Sequence, residues 1–89
     1  MVQQNVLVTN VKGLHLRAAN ELVKTASAFE SDIRVGAGDM EVDGKSMMGL
    51  LGLAASMGTE VRIKASGPDE REAVRAIVAL FEAKFDEEE

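Results

Sequence analysis

The chain has no cysteine, no tryptophan and no tyrosine, and only one proline and one histidine among its 89 residues. Without cysteine, neither a disulfide framework nor a cysteine-ligated metal site can form. The absence fits a reducing compartment. One histidine among scattered carboxylates is a poor metal-ligand set, so no cofactor is expected. Three aromatic residues and a formal net charge of −5 exclude the basic stripes and stacking platforms of a nucleic-acid surface. No apolar run reaches the roughly 18 residues that a membrane helix needs, and no basic leader precedes one. The expectation is a soluble, cytoplasmic protein with no membrane insertion. A nucleotide-binding glycine loop is missing too: "GAGD" (Gly36–Asp39) lacks the lysine and the following helix.

The chain is 46% hydrophobic and 28% charged, which is ordinary globular composition. Its length allows one domain, 1–89, ending in an acidic tail at 86–89 that reads as a frayed, solubilising end. Alternation predicts strands over Gln4–Thr9, Asp32–Gly36 (Ile33 and Val35 inward), Met40–Asp43 (Met40 and Val42 inward) and Glu60–Ala65 (Val61, Ile63 and Ala65 inward). Helical spacing predicts helices from Leu16 to about Glu30, Met47 to about Ala54, and Asp69 to about Phe85. Asp69 and Glu72 have the spacing of a capping box. The order is β-α-β-β-α-β-α. Strands that alternate bury one face, so the class is α+β, a mostly antiparallel sheet with helices packed on one side.

The only histidine lies in "KGLHLRAANELV" (Lys12–Val23), where a loop containing Gly13 runs into the first helix. His15 falls at or beside the N-cap, where unpaired backbone N–H groups of Leu16 and Arg17 can bind phosphate. Arg17, in the same first turn, can bring a charged fork to phosphate oxygens. The helix end also disfavours an imidazolium, leaving a ring nitrogen lone pair free to attack an electrophile. That combination suits a transient phosphohistidine. A Ser-His-Asp device is a poorer fit, because no residue near His15 in the sequence supplies an orienting carboxylate or a neighbouring serine.

With "TNVKGLHLRAANELV", "DGKSMMGLLGLAA" and "EVRIKASGPDEREAV", the sequence resembles the HPr family of phosphocarriers of the bacterial phosphoenolpyruvate phosphotransferase system. The first segment is similar to the family's active-site signature, GLHARPA, and the second to its serine-site segment. The resemblance spans almost the whole chain. It implies the open-faced β-sandwich, a monomer, and a carrier rather than an enzyme. It implies phosphorylation of His15 at Nδ1, with Arg17 as phosphate partner, enzyme I as donor and enzyme IIA-type domains as acceptors. Leu16 replaces the signature's small residue and Ala18 its proline. The ending "VALFEAKFDEEE" is also similar to the nitrogen-related branch.

Ser46 is well placed to cap the second helix, and the resemblance makes it the regulatory site of an HPr kinase/phosphorylase. Leu50, Leu53 and Ala54 can form that helix's inward stripe, leaving Met47, Met48 and Leu51 for partner docking. Leu16, Lys24 and Lys45 join them in the expected docking set. Charge is uneven: Lys12, Arg17, Lys24 and Lys45 against Glu21 give +3 over Thr9–Ser27 and Gly44–Met57, within a chain of −5. The competing reading is a regulatory adaptor of an incomplete or nitrogen-related phosphotransferase system, controlled through Ser46. A third, an RNA-binding module, fails on charge and on missing sheet aromatics.

Overall fold

The computed structural model describes residues 1–87. Its elements are β1 (Val2–Leu7), α1 (Leu16–Ser27), β2 (Asp32–Ala37), β3 (Met40–Asp43), α2 (Met47–Leu53), β4 (Glu60–Ser66), α3 (Glu70–Glu82) and a 3-10 turn, Lys84–Asp86. The strands form one sheet in the order β1-β4-β2-β3, with all three pairings antiparallel. Val61, Ile63 and Ala65 are buried, while Arg62 and Lys64 on the opposite face stay partly exposed. The helices cover the first face only, giving the open-faced β-sandwich. Alternation produces this directly, since each strand has one apolar row to hide.

The core joins these strand residues to Ala18, Ala19, Leu22 and Ala26 of α1, Leu50 and Leu53 of α2, and Ala73, Val74, Ile77, Val78 and Phe81 of α3. Four local expectations need correction. Met40 shares the inner face with Val42 yet is 49% exposed, because it begins a short edge strand whose Val42 alone packs against the core. Ala54 is exposed rather than inward; α2 ends before it, and Ala54 takes a left-handed turn at φ 51°. Asp69 occupies the N-cap position of α3 but makes no capping bond. Its carboxylate instead accepts from the backbone N–H of Glu30 and Ser31, both at 3.0 Å, and from the Ser31 hydroxyl at 2.5 Å. It therefore ties the end of the α1 connection to the start of α3, across 38 residues.

The fourth correction concerns the chain's end. The acidic segment does not begin to fray at Asp86. After α3, Lys84, Phe85 and Asp86 all take positive φ, at 54°, 53° and 60°. Left-handed geometry costs a non-glycine residue roughly 1–2 kcal/mol. Burial of Phe85, packed edge-on against Phe81 with ring centroids 4.9 Å apart, offsets part of that cost. The turn reverses the chain and carries Glu87 back toward the start of α1. Glu88 and Glu89 lie outside the described residues.

Candidate functional site

The site is built on the Asn10–His15 loop. Gly13 has φ +65°, and a Cβ there would stand 2.5 Å from the Ala55 carbonyl oxygen and 2.8 Å from Ser56 Cα. Only glycine meets both demands. The next residue seals the approach: Leu14 N–H donates to Ala55 O at 2.8 Å. This places the loop against the segment that follows α2. Asn10, fully buried, donates Nδ2 to Gly13 O at 2.7 Å and braces the loop from inside.

His15 is the N-cap of α1, with φ −82° and ψ −176°, and no side chain caps the helix. The first ladder bond is Ala19 N–H to His15 O at 2.8 Å. The N–H groups of Leu16, Arg17 and Ala18 therefore precede the ladder, as expected for an anion-receptive helix start. The imidazole is 27% exposed and the Arg17 side chain 51% exposed.

Two further residues, Glu87 and Asn10, complete the site. Glu87, 72 positions away, places Oε2 against His15 Nε2 and 2.9 Å from Arg17 Nη2. Its Oε1 accepts from Asn10 Nδ2 at 3.0 Å. Arg17 Nη2 also donates to Phe85 O at 3.1 Å. The carboxylate against the ring comes from the far end of the chain, where a search near His15 in the sequence does not reach. Burial acts to raise the Glu87 pKa, but hydrogen bonds from Asn10, His15 and Arg17 outweigh it and hold the carboxyl at about 2 instead of 4.5. Asn10 could be suspected from sequence as a loop asparagine bonding its own turn. Glu87 carries no such signal within its run of acidic residues.

Among the described residues the Nδ1 atom of His15 has no partner, and neither do Nε and Nη1 of Arg17. The arrangement thus offers an open ring nitrogen, unused guanidinium donors and unpaired backbone N–H groups at one helix start. No group of three or more metal-ligating side chains exists among the described residues, and none of their helices is long and apolar enough to cross a membrane.

Ser46 is the N-cap of α2, and its Oγ accepts from Gly49 N–H at 3.1 Å. Met48 is 82% exposed, Leu16 65% and Leu51 37%, whereas Met47 is half-buried against the core. Lys24 is exposed. Lys45 is less free than its charge suggests: its Nζ donates to Phe29 O at 2.7 Å, closing the turn after α1. The expected docking residues therefore divide into exposed ones on α1 and α2 and two, Met47 and Lys45, with structural engagements.

Residues 2–83 match the family model described as PTS HPr component phosphorylation site. The chain is 44% identical over 89 residues to phosphocarrier protein HPr of Neisseria meningitidis serogroup A, covering 100% of both chains. It is 34% identical over 88 residues to phosphocarrier protein NPr of Escherichia coli K12, covering 98% of each. A crystal structure of HPr-C-His from Thermoanaerobacter tengcongensis superposes with a TM-score of 0.96 at 43% identity, covering 100% of both chains. With the open-faced sandwich and the His15–Arg17 helix start already in place, these matches show that the chain belongs to the HPr family of phosphotransferase-system phosphocarriers.

Proposed function

We propose that this chain accepts a phosphoryl group on His15 Nδ1 from phosphorylated enzyme I and passes it to enzyme IIA-type acceptors. The observation that carries the reading is the unpartnered Nδ1 at the start of α1, beside Arg17. The Nδ1 lone pair attacks phosphorus, and the donor's bond to phosphorus breaks with its electron pair returning to the donor. The added phosphoryl oxygens then meet the free donors of Arg17 and the N–H groups of Leu16 and Arg17. The carrier supplies one half of each transfer, and the partner supplies the rest.

A regulatory adaptor controlled at Ser46 would have no use for an open ring nitrogen beside a guanidinium, so the carrier reading takes precedence. Incubation with phosphoenolpyruvate and enzyme I should yield an acid-labile, base-stable phosphate. His15→Ala should abolish that product without changing the thermal midpoint by more than a few degrees. A variant that still gained acid-labile phosphate would sink the assignment.

A further inference from the structure

The mechanism so far uses His15 and Arg17 and leaves one buried contact without a task. Glu87 is the third ionisable group of the site, beside His15 and Arg17. Its carboxylate is gripped on both oxygens, by Asn10 Nδ2 on Oε1 and by His15 Nε2 and Arg17 Nη2 on Oε2. Its side chain is only 10% exposed. The positive-φ turn at Lys84–Asp86 and the buried Phe85 aim it there. A solubilising carboxylate needs none of this.

The contact could obstruct phosphate or assist it, and the geometry separates the two. Glu87 meets the ring at Nε2, so Nδ1 stays open. It engages Arg17 through Nη2, the same nitrogen that holds Phe85 O. Three of the five guanidinium N–H donors, on Nε and Nη1, remain for a phosphoryl group. An obstructing anion would have taken the reactive nitrogen or all of the arginine.

We propose that Glu87 is a positioning residue for phosphoryl transfer, whose carboxylate holds the Nε2–H of His15 and carries the counter-charge for the imidazolium that forms. This rests on His15 Nδ1 being the acceptor atom. In a neutral imidazole one nitrogen bears the proton and the other the lone pair, and the hydrogen bond made by one fixes the role of the other. A carboxylate accepts only, so it selects the tautomer with the proton on Nε2 and the lone pair on Nδ1. When Nδ1 bonds to phosphorus, no proton leaves: it stays on Nε2 and the ring becomes cationic. Glu87 stabilises that cation as an aspartate does in a serine-hydrolase triad. On onward transfer the Nδ1–P bond breaks, its electron pair returns to the ring, and a neutral imidazole departs. Keeping the Nε2 proton in place therefore serves both directions. Among the described residues, the charged groups in contact with the ring and the carboxylate are each other and Arg17.

The test compares Glu87→Gln and Glu87→Ala with Glu82→Gln, an exposed carboxylate change of equal charge. Three quantities are read: phosphorylation rate with enzyme I, imidazole 15N shifts of the unphosphorylated protein, and the pH profile of phosphoprotein hydrolysis. Loss of a charge-assisted hydrogen bond on a part-exposed ring should slow both Glu87 variants about tenfold. Glu82→Gln should match wild type. Glu87→Ala should move the 15N shifts toward the Nδ1–H tautomer. Glu87→Gln should move the hydrolysis profile to lower pH, because the phosphorylated ring then loses its Nε2 proton more readily. Unchanged rates and 15N shifts in both variants would overturn the proposal. So would faster phosphorylation, which would make the carboxylate an obstruction. Phosphate acceptance by His15→Ala would instead refute the acceptor assignment, while the tautomer result would still report on the Glu87 contact.

Discussion

The starts of α1 and α2 are the same device used in opposite ways. Both N-cap residues have extended backbone and both precede an apolar helical run. At α2 the cap closes on itself, with Ser46 Oγ accepting from Gly49 N–H. At α1 the cap residue is a histidine whose Nε2 meets Glu87, and no side chain takes the first-turn N–H groups. A helix start satisfied by its own side chain contributes stability. One left open carries a vacancy of hydrogen-bond donors that an anion can fill. Stability and function are thus separable at two sites of equal local structure, and the separation can be tested.

The largest effect should come from the open end. Arg17→Ala should lower the rate of phosphoryl transfer roughly 10- to 100-fold while changing affinity for enzyme I little, because the guanidinium acts on charge in the moving phosphoryl group. Single-turnover transfer against enzyme I concentration separates the two quantities. Normal turnover with weaker binding would make Arg17 a docking residue and blur the contrast between the helix starts.

The closed end should show the reverse. Ser46→Ala should lower unfolding free energy by about 1 kcal/mol, the usual cost of a lost N-cap, with the transfer rate unchanged. Chemical denaturation measures the first and the enzyme I assay the second. Ser46→Asp keeps a capping oxygen, so its stability should stay near wild type. Its added negative charge lies in the residue before Met47 and two before the exposed Met48, and should slow phosphorylation by a few-fold at low salt. Screening over roughly 8–10 Å should remove most of that effect at ordinary ionic strength. Equal rates at low salt would confine Ser46 to capping.

The smallest effect concerns pH. The Glu87 carboxyl is held at about 2 in the folded chain against an ordinary 4.5. A depressed folded value means that its contribution is complete above the unfolded value and lost as pH falls toward the folded one. Attachment of Glu87 to Asn10, His15 and Arg17 should therefore weaken between about pH 4.5 and pH 2. A carboxyl 13C titration of Glu87 by NMR would follow it. A midpoint near 4.5 would mean that the contact does not hold in solution.

Much of this molecule was legible from its residues. Strand alternation placed Val61, Ile63 and Ala65 inward and Arg62 and Lys64 outward. Helical spacing located the α3 stripe of Ala73, Val74, Ile77 and Phe81, but not its end: the helix stops at Glu82, and Phe85 is buried from the left-handed turn that follows. Gly13, His15, Arg17 and Ser46 were legible because caps and turns are written within four residues of where they act. Errors occurred where a neighbour outside the local window decided the outcome. Asp69 has the spacing of a capping box, yet its carboxylate found Ser31 and Glu30 instead. Lys45 reads as a free surface cation until the turn after α1 presents the Phe29 carbonyl to it.

The sequence by itself determined the α+β class, the single apolar face of the sheet, and the pairing of His15 with Arg17 in one first turn. Periodicity and capping are short-range properties, fixed by backbone geometry over a few residues. Only the tertiary structure decided that Glu87 completes the site. That contact spans 72 positions and depends on three positive-φ residues, the burial of Phe85 and the packing of α3 beside α1. Nothing in a run of acidic residues marks the one carboxylate that the fold returns to the imidazole.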